Sequence, residues 1–207
     1  MLDMNKVKGF LMAPTETFRA SKGDSLGGAF RYYTILLVIW AILSAIVWIT
    51  MGVWAFQDAL GRLTATGFLG SLMAKALSDF LGFVVSFQFF TVYALFLISL
   101  VGVFFVGFLW HVFALLFGAK KELRQTLKAT MYASTPFFLL GWIPIVAVIG
   151  WIWYIVLLML GLSEMQEMSI GEAALAVIVP IILVLLGVVI WGTVISTLIT
   201  GILGIFI

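Results

Sequence analysis

Hydrophobic positions in this chain fall in long unbroken runs rather than in alternation. From Phe30 to Phe56 the interruptions past the edge residue Arg31 are Thr34, Ser44 and Thr50. A second run extends from Phe83 to Phe117, a third from Ala129 to Ser163 holds no charged residue, and a fourth runs from Ala173 to Ile207. An α-helix needs only about 20 apolar residues to cross the hydrocarbon core of a bilayer. The pattern therefore predicts an all-α fold, a polytopic transmembrane helical bundle. The second run would measure about 50 Å as one helix, so it must tilt, bend or emerge at one end.

The helix count turns on the stretch from Ala129 to Ser163. As one rod it would span about 52 Å, and Pro136, Gly141, Trp142 and Pro144 interrupt it near the middle. Proline lacks a backbone donor and disfavours helix in the residue before it. Gly141-Trp142-Ile143-Pro144 therefore reads as a tight turn closing a helical hairpin, and the predicted spans are about 30–56, 83–117, 125–140, 145–162 and 173–205. Four spans is the competing count. Pro180 and Gly187 are the expected bends of the last span. Residues 30–207 form a single transmembrane domain, preceded by an N-terminal segment, 1–29.

Shorter stretches carry helical periodicity outside the spans. Val7, Phe10 and Leu11 share a face beside Lys6 and Lys8, which predicts an interfacial amphipathic helix stopped by Pro14. Thr15 and Phe18 point to a capped second turn, and the glycines between Ser21 and Gly28 to a flexible approach to the first span. In the loop from Gln57 to Gly82, Phe68, Leu69, Leu72, Met73, Ala76, Leu77 and Phe80 recur at helical intervals, predicting a surface helix on the outer leaflet.

Charge orients this bundle. Of the 11 Lys and Arg residues, Lys6, Lys8, Arg19, Lys22 and Arg31 precede or open the first span, and Lys120, Lys121, Arg124 and Lys128 follow the second. Both clusters belong on the cytoplasmic side, which two intervening spans allow. The loop carrying Glu164, Glu167 and Glu172 then lies on the cytoplasmic side with five spans and outside with four. A net charge of +2, its basic residues flanking spans, argues against nucleic-acid binding. The absence of cysteine excludes disulfides, thiolate metal sites and cysteine nucleophiles. With about 29 rather polar residues before the first run, a cleavable signal peptide is not expected.

Candidate chemistry is sparse. No Asp, Glu, Lys or Arg lies deep in a predicted span, so a carboxylate proton relay is not expected. His111, the single histidine, lacks the companions that zinc requires, and an interfacial or helix-capping role is the plainer reading. Ser99, Ser134 and Ser196 lack the context of a nucleophilic serine. Catalytic, metal-binding and cofactor-binding residues are thus none. An intramembrane enzyme would have to draw on His111, Glu122 and the Glu164–Glu172 loop. Gln88 is expected to hydrogen-bond between helices. Gly192, Ser196, Thr200 and Gly204 recur every four residues and form a small-residue face suited to close helix approach, within one chain or between copies; Ala41 and Ala45 repeat it weakly. Lys120, Lys121, Arg124 and Lys128 are candidate contacts for anionic lipid headgroups as well as topology determinants.

A set of ordered motifs resembles the Yip1-domain superfamily of small multi-span membrane proteins, in particular its short prokaryotic, archaeal-looking members. These are Pro14-x-x-x-Phe18, Leu116-Phe117-Gly118 with Lys120 and Lys121, the segment Gln125 to Pro136, Gly141-Trp142-Ile143-Pro144, Gly161-Leu162-Ser163-Glu164, Gly171-Glu172-Ala173 and Pro180. The resemblance implies five spans, a cytoplasmic N-terminus, a multi-pass protein of a prokaryotic cell membrane, and a non-enzymatic scaffold that self-associates or organises other membrane proteins among the lipids. Eukaryotic relatives associate with Rab GTPases, but the short N-terminal segment lacks an Asp-Leu-Tyr-Gly motif, so Rab binding does not carry over. The alternative is a small transporter, channel or lipid-translocating protein, motivated by the broken third and fourth spans.

Overall fold

The computed structural model describes residues 2–203. Among these, helices follow in the order α1 (Met4–Met12), α2 (Pro14–Ala20), a 3-10 turn (Ser21–Gly23), α3 (Leu26–Thr64), α4 (Phe68–Leu116), α5 (Leu123–Ala133), α6 (Thr135–Leu140), α7 (Ala147–Gln166) and α8 (Ile170–Leu203). Among the described residues four stretches are long and apolar enough to cross a membrane: Leu26–Gly52, Phe90–Leu116, Ala147–Gln166 and Ile170–Leu198.

Two expectations change here. The loop from Gln57 to Gly82 with a separate surface helix is replaced by continuation of α3 to Thr64 and an early start of α4 at Phe68. The periodic face of residues 68–80 runs on into the span with no proline to stop it, and Gly67, at φ 93°, makes the reversal. The segment predicted as the third span is divided into helices of 11 and 6 residues. Pro136 sits in the first turn of α6, where its missing N–H costs nothing. Pro180, expected as a bend, lies inside a continuous α8.

Packing is concentrated at one end. A methyl group on Gly150 would lie 3.3 Å from the Phe137 Cα, and one on Gly161 would lie 3.3 Å from the Ala129 side chain. Gln166, at the end of α7, bonds to Glu122 and Thr126. So α7 runs antiparallel beside α6 and then α5. Gly107 lets α4 approach Leu127 of α5 in the same way. The far stretches of α3 and α8 are different: Trp48, Trp54, Val184, Ile190 and Trp191 are all more than half exposed and face the surroundings.

The N-terminal segment belongs to the packed end. Asp3 caps α1 by accepting from the Asn5 and Lys6 amides. Val7 and Phe10, expected at a membrane interface, are buried in the core instead. Their apolar face finds protein rather than lipid: Phe10 lies 4.8 Å from Phe18 and stacks on Tyr132 at 4.9 Å between ring centres. Pro14 opens α2, which leaves Thr15 inside the helix rather than at its cap.

Gly161 and Gly187 make a contrasting test. A side chain at Gly161 would meet the Phe18 ring at 2.8 Å, whereas Gly187 faces open space. Gly161→Leu should destabilise the protein by about 1–3 kcal/mol and release α2 to proteolysis, while Gly187→Ala should be neutral or stabilising by about 0.5–1 kcal/mol. Unfolding in detergent checks both. Equal behaviour of the two variants would contradict this packing.

Candidate functional site

The segment from Glu122 to Thr135 is the hub of the packed end. Its helix is amphipathic in an inward sense, with Thr126 to Ala133 all buried although Lys128, Thr126, Thr130 and Tyr132 are polar. Buried polar groups must be bonded to be tolerated, and each of these has found a partner. Thr130 donates back to the Thr126 carbonyl at 2.9 Å. The Tyr32 and Thr135 hydroxyls, at 3.0 Å, bond α3 to the start of α6.

Tyr132 and Lys128 reach the N-terminal segment. The Tyr132 hydroxyl donates to Asp24 Oδ2 at 2.5 Å, the same oxygen that Lys6 contacts. The Lys6 ammonium also lies over the Tyr132 ring, 5.0 Å from its centre. Lys128 is buried, and its ammonium donates to the backbone carbonyls of Lys22 at 2.7 Å and Asp24 at 3.0 Å. Burial pushes the Asp24 carboxyl upward, but the hydrogen bonds from Lys6 and Tyr132 and the charges of Lys6 and Lys128 outweigh it. The net result is a carboxyl held below its usual range.

A second network ties three polar segments together. The Lys120 amide donates to the Gln166 carbonyl at 3.2 Å, and the Lys121 amide to Gln166 Oε1 at 2.8 Å. Gln166 Nε2 donates to the Thr126 hydroxyl at 2.7 Å, and that hydroxyl bonds to His111 Nδ1 at 2.9 Å. Glu164 pairs with Arg19 at 2.9 Å and loosely with Lys22 at 3.9 Å; Glu167 pairs with Lys121 at 3.0 Å. The Lys121 hydrogen bond and charge lower the Glu167 carboxyl, and Glu164 raises the Arg19 guanidinium in turn. Both basic clusters and the acidic loop therefore lie at one end of the bundle.

The other singled-out residues separate. Lys120, Lys121 and Arg124 are exposed, but Lys128 is turned inward, where its ammonium donates to two carbonyls in and just after the 3-10 turn. His111 is buried, with Nδ1 on the Thr126 hydroxyl. Glu122 pairs with Arg124 at 3.6 Å. Gly141 ends α6, Trp142 Nε1 donates to the Leu139 carbonyl at 2.7 Å, and Pro144 lies in the turn before α7. Gly192, Ser196 and Thr200 are on an exposed stretch of α8, with nothing near the Gly192 backbone. Gly204 and the Gln88 side chain lie outside the described residues. Among the described residues no group of three His, Asp or Glu is placed to hold a metal ion.

Residues that the sequence pattern did not single out prove central. Asp24 and Gln166 read as ordinary loop and helix-end positions, because Asp24 meets Tyr132 108 residues away and Gln166 meets Thr126 40 residues away. The nearest sequence signal was the polarity of their partners' segment, in which Thr126, Lys128, Thr130 and Tyr132 alternate with apolar residues.

The motifs noted above converge on this end. Phe18 packs on Phe10 and Gly161, Gly118 reverses the chain at φ 100° beside Glu172, and the Gln125–Pro136 segment carries both networks. The model of the Yip1 domain matches residues 8–192. The chain belongs to the Yip1 domain family. The matched region is most of the chain, and it holds every helix of the packed end apart from the first residues of α1. No curated protein and no solved structure matches the chain.

The Asp24 arrangement makes a pH prediction. Its folded pKa lies below the ordinary 3.8, so its stabilisation is complete above that value and is lost as pH falls through the lower folded one. Thermal unfolding in detergent should show stability declining from about pH 4 downward. Asp24→Asn should cost about 1–3 kcal/mol at neutral pH, since Lys6 and Tyr132 lose a charged partner, and should flatten the acid limb. An unchanged acid limb in the variant would contradict the assignment.

Proposed function

We propose that the protein is a non-enzymatic membrane scaffold of the Yip1 type that works by association within the bilayer, with itself or with other membrane proteins. The observation that carries this reading is the small-residue face of α8. Gly192, Ser196 and Thr200 stand outside the monomer's packing, with no heavy atom within 4 Å of a methyl placed on Gly192. Small residues let helix backbones approach closely in lipid, and within the described chain this face is left open for a second helix.

The reading includes five crossings with the N-terminus cytoplasmic and the basic residues Lys120, Lys121 and Arg124 at the headgroup level. Five crossings are supported by the shared end of the bundle. Lys128 meets the Lys22 carbonyl there, and Gln166 meets Lys120. From that end α7 extends about 30 Å to Ala147, so the chain leaving Lys128 must cover the same depth through α5 and α6.

A second reading, transport or lipid translocation, is favoured by a cavity of about 470 Å³ between α3, α4, α5, α6 and α7. Tyr33, Trp110, Phe138 and Tyr154 line it with Thr130 and Ser134. Flux or lipid scrambling in proteoliposomes above that of empty vesicles would establish this reading in place of the first.

Two measurements test the proposal. Photo-crosslinking from position 191 in a bilayer should trap protein partners, and Gly192→Leu should reduce the yield several-fold; an unchanged yield contradicts the α8 interface. Single cysteines introduced into this cysteine-free chain report topology. Lys22→Cys and Glu167→Cys should be labelled from the cytoplasmic side and Ile143→Cys from the other. Labelling of 22 and 167 from opposite sides would contradict five crossings.

A further inference from the structure

A cavity of about 500 Å³ opens where the start of α3 meets the start of α5. One wall is Lys22, Asp24, Ser25 and Leu26, the other Lys121, Glu122, Arg124, Gln125 and Lys128, so four cationic side chains face two carboxylates. Leu26 is the first residue of a candidate span, so the cavity sits at the level of lipid headgroups once the bundle is in a membrane.

The lining has an unusual balance. Lys128 supplies a fixed positive charge at the floor: an ammonium has three donors, and two are spent on backbone carbonyls rather than on a carboxylate. Lys22 and Arg124 have long contacts to carboxylates, 3.9 Å and 3.6 Å, and are free to re-aim. The Asp24 carboxylate is already engaged by Lys6 and Tyr132. The Gln125 amide nitrogen makes a long contact to the Lys22 carbonyl, 3.4 Å, and its oxygen is buried with no partner. A buried acceptor without a donor is costly, and a guest that brings both a negative charge and a hydroxyl answers the cations and this acceptor together.

We propose that this cavity binds the headgroup of an anionic phospholipid whose phosphodiester carries a polyol, with Lys22, Arg124 and Lys128 on the phosphate and Gln125 Oε1 accepting from a headgroup hydroxyl. Arg is suited to phosphate because its planar donors can engage two oxygens. Ser25, whose hydroxyl accepts from the Gly28 amide at 3.1 Å, has its own proton free to give to a phosphate oxygen. The acyl chains would lie against the lipid-facing surface of α3 past Leu26. This deepens the headgroup-level placement of the basic residues and rests on it, but it assigns a specific site where that placement implied only surface attraction.

The test uses the full chain in nanodiscs, whose lipid is present in both leaflets, so the result depends neither on orientation in a cell nor on self-association. Retained lipid is read by native mass spectrometry in mixtures of phosphatidylcholine with phosphatidylglycerol or with phosphatidylmethanol, a phosphodiester of equal charge lacking the hydroxyl. The wild-type chain should retain phosphatidylglycerol over both. Lys22→Gln with Arg124→Gln should weaken that retention roughly tenfold or more, while Lys75→Gln, at the opposite end of α4, should not. Gln125→Leu should erase the preference over phosphatidylmethanol while leaving charge selectivity, a readout that a merely unfolded variant would not give.

Unaltered retention in the double variant, or no preference between the two anionic lipids in the wild type, would overturn the proposal. Glycerol 1-phosphate in solution should compete poorly. Competition as effective as the lipid's would overturn the lipid assignment and make the ligand a soluble polyol phosphate.

Discussion

The stacking of Phe10 on Tyr132, 4.9 Å between ring centres, joins an amphipathic N-terminal helix to the packed end of a membrane bundle. Around it the Phe18 and Tyr32 rings complete an aromatic cluster, and the hydroxyl of Tyr132 leaves that cluster to bond Asp24. Aromatic pairs of this kind contribute about 0.5–1.5 kcal/mol beyond the area they bury. Their position matters more than their energy, because Tyr132 lies on the short helix that also carries Thr126 and Lys128. With Tyr132 held, Lys128 reaches the Lys22 and Asp24 carbonyls, and Thr126 reaches Gln166 and His111.

The consequence is a bundle that is fastened at one end and open at the other. In a bilayer, apolar surface gains little by leaving lipid, so packing and polar contacts decide which helices stay together. Hydrogen bonds and ion pairs are concentrated near residues 6–32 and 118–172, where the basic clusters and the acidic loop offset one another. The polar contacts seen in the outer stretches of α3 and α8 are local to one helix, such as the Asp58–Arg62 pair at 2.9 Å and the Thr197 hydroxyl on the Thr193 carbonyl, and large apolar side chains there face outward. A fold of this shape presents long apolar surfaces to its surroundings while keeping its packed end constant.

Much of this architecture was legible in the residues. The uninterrupted runs marked the membrane helices, and the Gly141–Pro144 break marked the turn before α7 because proline and glycine act locally. The family resemblance also rested on local motifs, each with its own order and spacing. What was not legible depended on distance. The inward turn of Lys128 was not legible because its carbonyl partners are more than 100 residues away, and Val7 and Phe10 read as membrane-facing because an amphipathic face does not say whether lipid or protein covers it. The periodic stretch from Phe68 to Phe80 read as a separate surface helix because periodicity gives a face and not a boundary.

The central claim is that the N-terminal helix is an integral part of the bundle, coupled to it through Phe10 and Tyr132. A double-mutant cycle with Phe10→Leu and Tyr132→Leu, read by unfolding in detergent, tests it most directly. The account predicts a coupling of about 0.5–1.5 kcal/mol or more between the two positions. Additive effects, with no coupling between them, would contradict it.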